Sequence, residues 1–323
     1  MSDTGNLLEV TVLSKTREAE GILSFEFAGP DMGDLPAFEA GAHIDVHLPG
    51  GIIRQYSLCN PPGPSRRYEI GVLKDPASRG GSVALHEGVQ VGDRLRISAP
   101  RNLFPLADNA TRSLLFAGGI GITPMLSMAE SLRAAKADFE LHYVAHSPDR
   151  MAFQKRIRDS AFAQSAHFHF GSAQLRKTLE AGQLLTKPAP DTHLYVCGPV
   201  RFMEYVLETA KANGWSSQQL HREYFAPPET DYAGNGGFEV EIKSSGKIIP
   251  IPADKSVLEA LEEVGIYVPV ACEEGVCGTC LTRVLAGEPE HRDVFMSDEE
   301  HARNEQFTPC CSRARSARLV LDL

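Results

Sequence analysis

The chain has 323 residues, 42% of them apolar, a formal net charge of −10 and seven cysteines. That length points to about two or three domains rather than one ordinary core, and the acidic balance argues against a nucleic-acid partner. No apolar run approaches a membrane span and Met1–Leu8 lacks a signal-peptide pattern, so a cytoplasmic, membrane-free protein is expected; an odd number of cysteines gathered at one end excludes a secreted disulfide framework.

From Met1 to Arg112 the chain runs in short alternating segments: LEVTVLSKT, GILSFEFAG, AHIDVHLPG, IIRQYSLCN, YEIGVLKD and DRLRISAP. Period-two apolar spacing with Gly/Pro punctuation predicts an antiparallel β barrel. In the fourth segment Arg54, Tyr56 and Leu58 share one strand face, followed by Ser57's hydroxyl on the other. An aromatic ring can lie against a flat cofactor while a guanidinium holds phosphate. Some 25 residues on, Arg79-Gly80-Gly81-Ser82 offers backbone N–H groups and a hydroxyl at an expected helix start. Together they suggest a flavin phosphate site, although an Arg/Tyr strand is more often simply the wet side of a barrel.

From Ser113 to Pro227 strands and helices alternate: SLLFAGG, MLSMAESLRAAK, FELHYVAH, MAFQKRIRDSA, AHFHF, THLYVCG and RFMEYVLETAKANG. This predicts an α/β domain with a covered parallel sheet. After its first strand comes Gly118-Gly119-Ile120-Gly121-Ile122-Thr123-Pro124, with Thr123 expected as N-cap and Pro124 in the first turn. Such junctions bind dinucleotide phosphates, although this one is not G-x-G-x-x-G. A second anchor is Cys197-Gly198-Pro199 at the end of the last strand; as a thiol, Cys197 reads more readily as a small core residue.

Ala226–Gly237 is rich in Pro, Gly and polar residues and reads as a linker. Beyond it FEVEIKSSGKIIPIP predicts a hairpin, Ser256–Val264 a short helix, and LTRVLAGEPEH and ARLVLDL further strands. Cys272, Cys277 and Cys280 stand at C-x4-C-x2-C, and Cys310 follows after 29 intervening residues. Four thiolates so arranged suit a plant-type [2Fe–2S] cluster, with Gly275 and Gly278 letting the loop curl. Structural zinc is the competing reading, but zinc sites usually show two short knuckles or a Cys/His mixture. Gly236–Leu323 carries 16 acidic and 9 basic residues, so −7 of the charge sits there. That is either plain solubility or a face that steers a basic partner. The eleven histidines show no ligand-like grouping, and Cys59 reads as a buried small hydrophobe.

The order R-x-Y-S-L, R-G-G-S, G-G-I-G-I-T-P-M, C-G-P and C-x4-C-G-x-C…C-C-S-R-A…LVLDL resembles the phthalate dioxygenase reductase family, across essentially the whole chain. The resemblance implies an FMN-binding barrel (1–107), an NAD(P)-binding α/β domain (108–226), a linker (227–236) and a β-grasp plant-type ferredoxin domain (237–323). By it Arg54, Tyr56 and Ser57 lie at the flavin with Gly71 nearby, and Arg79, Gly81 and Ser82 surround its phosphate. Thr123 reaches the isoalloxazine edge, Phe225 covers the ring, and Gly119, Gly121 and Cys197, Gly198 and Pro199 frame the nicotinamide path. Cys310 rather than Cys311 is the fourth ligand.

The resemblance also implies hydride transfer from NADH to FMN, single-electron passage to the cluster, and delivery to a separate Rieske oxygenase by a monomeric reductase. A flavin belongs between the other two because it exchanges both hydride and single electrons. No side chain is then required as an acid, base or nucleophile. One departure bears on the nucleotide: where NADH-specific members carry an acid, this chain has Ser172 with Arg176 and Lys177 beyond, a set compatible with NADPH. The alternatives are a reductase serving a diiron hydroxylase or free ferredoxin, and a non-catalytic redox sensor.

Overall fold

The alternating N-terminal segments form strands β1 (Leu8–Ala19), β2 (Ile22–Ala28), β4 (Ala42–His47), β5 (Ile53–Ser57), β7 (Arg67–Leu73) and β8 (Arg94–Ile97). The structure is a computed structural model that describes residues 7–75, 80–171, 179–226 and 236–323. These strands lie in the order β5-β4-β8-β1-β2-β7, and an antiparallel bridge between Leu58 and Ile70 joins the two ends, closing the sheet into a barrel. Fully closed sheets leave no free edge. Phe25, Phe27, Ile44, Leu58, Ile70 and Leu85 fill the interior without solvent exposure, each contributing on the order of 1.5–3 kcal/mol. Three short strands escaped the alternation rule: β3 (Leu35–Phe38), β6 (Gly63–Ser65) and β9 (Arg101–Asn102).

The second set of strands, β10 (Arg112–Gly118), β11 (Asp138–Ala145), β12 (Ala166–Phe170), β13 (Thr192–Cys197) and β14 (Leu220–Glu223), forms a parallel sheet in the order β12-β11-β10-β13-β14. Successive residues of β10 point to opposite faces. Leu115 and Ala117 pack with Ile122, Met125 and Leu126 of the helix Ile122–Ala134. Leu114 and Phe116 pack with Phe202, Met203 and Val206 of the helix Val200–Ala212. Barrel residues Ala19, Ile22, Ala40, Cys59 and Phe104 belong to the first of these cores. Barrel and parallel sheet therefore make one compact unit, Asp3–Phe225, with the expected 107/108 boundary inside it.

Two helix expectations are revised. Thr123 is not the N-cap: the helix opens at Ile122 behind Gly121, and the Thr123 hydroxyl donates to the Ile120 carbonyl at 3.1 Å. The expected helix over MAFQKRIRDSA shrinks to Gln154–Asp159, because buried Phe153 turns to φ 58°.

The second unit is Ala226–Leu323; most of the expected linker, residues 227–235, lies outside the described residues. Strands β15 (Phe238–Ile242) and β16 (Lys247–Ile251) form the expected hairpin. With β17 (Thr282–Ala286), β19 (Gln306–Phe307) and β21 (Arg318–Leu321) they build a mixed sheet in the order β16-β15-β21-β17-β19. The helix Val257–Glu263 packs on it through Val257, Leu258 and Leu261. Ser256 starts this helix with a reciprocal cap: its hydroxyl accepts from Glu259 N at 3.1 Å while Glu259 Oε2 accepts from Ser256 N at 2.7 Å. Such a cap stabilises a helix by about 1 kcal/mol.

Candidate functional site

Strand β5 carries Arg54, Tyr56 and Ser57 to the barrel rim. A Cβ on Gly81 would overlap the Arg54 side chain, so the guanidinium stem lies flush on the helical turn Gly81–Val83. Gly80, at φ 91°, makes the bend into that turn, and Ser82 Oγ accepts from Asp75 N at 3.1 Å. The structure thus brings Arg54 of one strand onto the separate Gly81–Ser82 turn, forming one cationic corner suited to a phosphate. Arg79 lies outside the described residues. Tyr56 keeps partial exposure, and burial pushes its phenol well above the usual range, so it stays neutral.

Gly71 on β7 marks where the parallel-sheet half meets the barrel. A Cβ there would come 2.7 Å from Thr123 Cγ2 and 3.1 Å from the Phe153 ring. Its lack of a side chain seats Thr123, the expected flavin-edge residue, directly on the barrel strand.

The residue that sequence reasoning missed is Glu223. It ends β14, opposite Cys197 at the end of β13, and its Oε2 accepts a hydrogen bond from Ser57 Oγ at 3.2 Å. Glu223 is only half-buried as a residue, but its carboxyl lies deep in the unit. Burial raises its pKa to about 8, with the Ser57 hydrogen bond opposing. Cys197 beside it is fully buried and its thiol is pushed far up by burial and then by Glu223, which makes it an unreactive core thiol. Phe225, 38% exposed, follows two residues later. A lone glutamate in EYFAP reads as a surface carboxylate; its place at a strand end beside C-G-P was the available signal.

The glycine turn and C-G-P serve mainly close packing. A Cβ on Gly121 would overlap the Cys197 carbonyl, and one on Gly198 would come 2.8 Å from Gly118 Cα. Gly119, at φ 54°, faces open space instead. Pro199 caps the helix Val200–Ala212. Two backbone loops in contact at the carboxyl ends of β10 and β13 make the crevice where open parallel sheets bind nucleotides. Ser172, Arg176 and Lys177 lie outside the described residues.

In the other unit, Cys272, Cys277 and Cys280 are buried and Cys310 half-buried. The thiols stand in two pairs: Cys280 Sγ is 3.3 Å from Cys310 Sγ, and Cys272 and Cys277 are within hydrogen-bonding reach of each other. Backbone N–H groups already point at sulfur, Glu274 N to Cys272 Sγ at 3.3 Å and Thr279 N to Cys277 Sγ at 3.4 Å. Gly275 and Gly278 hold φ of 73° and 68°, and a Cβ on Gly278 would overlap the Phe295 ring. Two thiol pairs cradled by N–H donors fit two irons, each taking two thiolates, better than one tetrahedral zinc. Cys311 stays beside the group: its thiol is within hydrogen-bonding reach of Cys310, a Cβ on Gly275 would come 2.5 Å from its Sγ, and that Sγ lies 3.2 Å from Thr308 Oγ1.

Contrary to expectation, several histidines do group. His142 contacts His169 at 3.2 Å and Glu140 at 3.2 Å on the parallel sheet. In the cysteine-bearing unit His291 and His301 both approach Asp293.

A family model described as the 2Fe-2S iron-sulfur cluster binding domain matches residues 240–315. The chain is 57% identical over 317 residues to vanillate O-demethylase oxidoreductase of Pseudomonas sp. (strain HR199 / DSM 7063), covering 98% of this chain and 100% of that one. It is 39% identical to phthalate dioxygenase reductase of Burkholderia cepacia, over 98% of this chain and 97% of the other. The solved structure of a phthalate dioxygenase reductase, described as modular for electron transfer from pyridine nucleotides to [2Fe–2S], matches with a TM-score of 0.77 at 39% identity, covering 98% of each chain. The chain belongs to the phthalate dioxygenase reductase family: it is the reductase component of an oxygenase system, with FMN and a [2Fe–2S] cluster as cofactors and NAD(P)H as electron source.

Proposed function

We propose that this chain supplies electrons to a Rieske oxygenase that demethylates a methoxylated aromatic acid of the vanillate type. The observation that carries this reading is the 57% identity, across the full length of both chains, to a vanillate O-demethylase oxidoreductase. Residues 1–107 hold the flavin, 108–226 the nucleotide and 237–323 the cluster.

Bound flavin supplies a two-electron acceptor that discharges one electron at a time, and the cluster supplies the one-electron outlet. Around them the chain's residues bind and orient. Arg54 and the Gly81–Ser82 turn take the flavin phosphate, and Tyr56 lies along the ring. Gly119, Gly121 and Cys197–Pro199 would frame the nicotinamide, and Phe225 would cover the flavin ring. Ser57 and Glu223 hold a proton at the reacting edge, on Ser57 Oγ and the Glu223 carboxyl.

The oxygenase docks on the cluster-bearing unit. Glu259, Glu262 and Glu263 line its first helix, and Asp298, Glu299 and Glu300 open the helix Asp298–Arg303. Tyr267, 72% exposed, adds an apolar anchor close in sequence to Cys272. A monomer suffices for this relay.

The test is an anaerobic NADH titration that follows flavin absorbance together with the cluster's EPR signal, then repeated with NADPH. Turnover with a purified vanillate-type oxygenase comes next. Flavin bleaching coupled to a reduced-cluster signal and product formation support the reading. Bleaching with no cluster signal sinks the relay, and a full relay that drives only a diiron hydroxylase or a free ferredoxin reassigns the partner.

A further inference from the structure

Asp293 has no part in the site described so far, yet among the described residues of its unit it is the one buried acid, its side chain fully enclosed. Its Oδ2 accepts from Met296 N at 2.9 Å and faces His301 Nε2 at 3.2 Å. Its Oδ1 accepts from Thr308 Oγ1 at 3.4 Å. These bonds reach both cysteine-bearing segments. On one side, Val294 N donates to the Gly275 carbonyl at 3.1 Å, and a Cβ on Gly275 would come 3.0 Å from Asp293 Cα. The loop between Cys272 and Cys277 is therefore pressed against Asp293. On the other side, Thr308 Oγ1 lies 2.8 Å from Ser312 Oγ, which accepts from Arg292 N at 3.1 Å. Thr308 and Ser312 bracket Cys310.

Neither cysteine segment itself belongs to a strand or a helix; the β17–β19 ladder, with Thr282 opposite Phe307, ties the Cys280 end to the Cys310 segment, and the Cys272–Cys277 loop lies beyond that ladder. The bonds converging on Asp293 link that loop to Thr308 next to Cys310. A metal ion is the competing occupant, since ligand atoms of His291, Asp293 and His301 lie within 4.8 Å of one another. The two rings, however, stack with planes 15° apart and centroids 4.4 Å apart. Met296 N, His301 Nε2 and Thr308 Oγ1 already engage the Asp293 carboxylate, while His291 Nδ1 stands 3.9 Å from it, outside hydrogen-bonding range.

We propose that Asp293 is a positioning residue for the cluster, holding the Cys272–Cys277 loop and the Cys310 segment at a fixed separation. It thereby sets how firmly iron is kept and at what potential the cluster takes its electron. Buried acceptors next to a cluster oppose its reduction, and second-shell partners of metal ligands govern retention.

The experiment uses the full-length holoprotein as wild type, Asp293→Asn and Thr308→Val. Three quantities are read: iron per chain, the rate of iron transfer to a chelator, and the cluster's midpoint potential by EPR-monitored titration. Asp293→Asn keeps the shape but removes the charge. It is expected to release iron at least ~10-fold faster and to favour the reduced cluster by about tenfold, a positive shift of ~59 mV for one electron. Thr308→Val cuts the bridge to the Cys310 segment while leaving the carboxylate, and is expected to speed iron release with a smaller change in potential. Iron release within twofold of wild type in both variants, with the potential unmoved, overturns the proposal. Should Asp293→Asn fail to hold iron from the start, Thr308→Val decides: wild-type release overturns the proposal and faster release upholds it. A wild-type chain without iron overturns it together with the cluster assignment.

Discussion

Glu223 shows what a single side chain does when a fold encloses it. Its carboxyl titrates near 8 because burial penalises the anion more than the Ser57 hydrogen bond favours it. The folded chain therefore keeps a proton that the unfolded chain releases above the ordinary carboxylate value of 4.5. That contribution to stability is present below this value and is lost as the pH rises towards about 8, at up to ~1.4 kcal/mol per pH unit. Glu223→Gln, neutral at every pH, should flatten the slope. Unfolding midpoints of wild type and variant between pH 5 and 8.5, read by flavin release, check this; parallel curves would refute it. The same variant should slow flavin reduction by NADH in rapid mixing, by on the order of 10²-fold if Glu223 holds a transferring proton, with little change in nucleotide affinity.

At the level of elements, glycines decide where backbones meet. Gly121→Ala would force its Cβ into the Cys197 carbonyl. It should lower stability by roughly 1–3 kcal/mol and weaken nucleotide binding, seen in thermal melting and an NADH titration. Gly278→Ala, at φ 68° and against the Phe295 ring, should reduce iron per chain while flavin content stays at wild-type level. Much of this scale was legible beforehand. The long barrel strands, the parallel sheet and the cysteine loop rest on patterns within a few residues, where pleat, helical period and ligand spacing dominate. The short strands β3, β6 and β9 were not, since two to four residues carry no period. Glu223 and Asp293 were not either. Glu223 meets Ser57 across 166 positions, and an isolated acid carries no mark of the burial that gives it a role. The αL turn at Phe153, which shortens a helix, likewise depends on a ring finding its place against Gly71.

For the whole molecule, charge is unevenly shared: −7 of the net −10 lies in Gly236–Leu323. Screening shortens the reach of such a field to about 8 Å at physiological salt. Electron delivery to the oxygenase should therefore slow steeply as salt rises from 20 to ~500 mM, while NADH reduction of the flavin changes little. Stopped-flow rates for the two steps would show this, and equal salt dependence would argue against electrostatic docking. Among the described residues no helix is long and apolar enough to cross a membrane.

The place of β21 has a bearing on how the protein is made. In its sheet this strand lies between β15 and β17, parallel to the first and antiparallel to the second. Arg318–Leu321 is thus the middle plank of the cluster-bearing sheet, and it is synthesised after Cys272, Cys277, Cys280 and Cys310. Until it emerges, the thiols sit on an unfinished platform, whereas the flavin and nucleotide halves are complete nearly a hundred residues earlier, at Phe225. Domains tend to fold in the order of synthesis. Each new molecule would pass through an interval in which it could be reduced but had nowhere to send its electrons, so loading of iron closes the assembly.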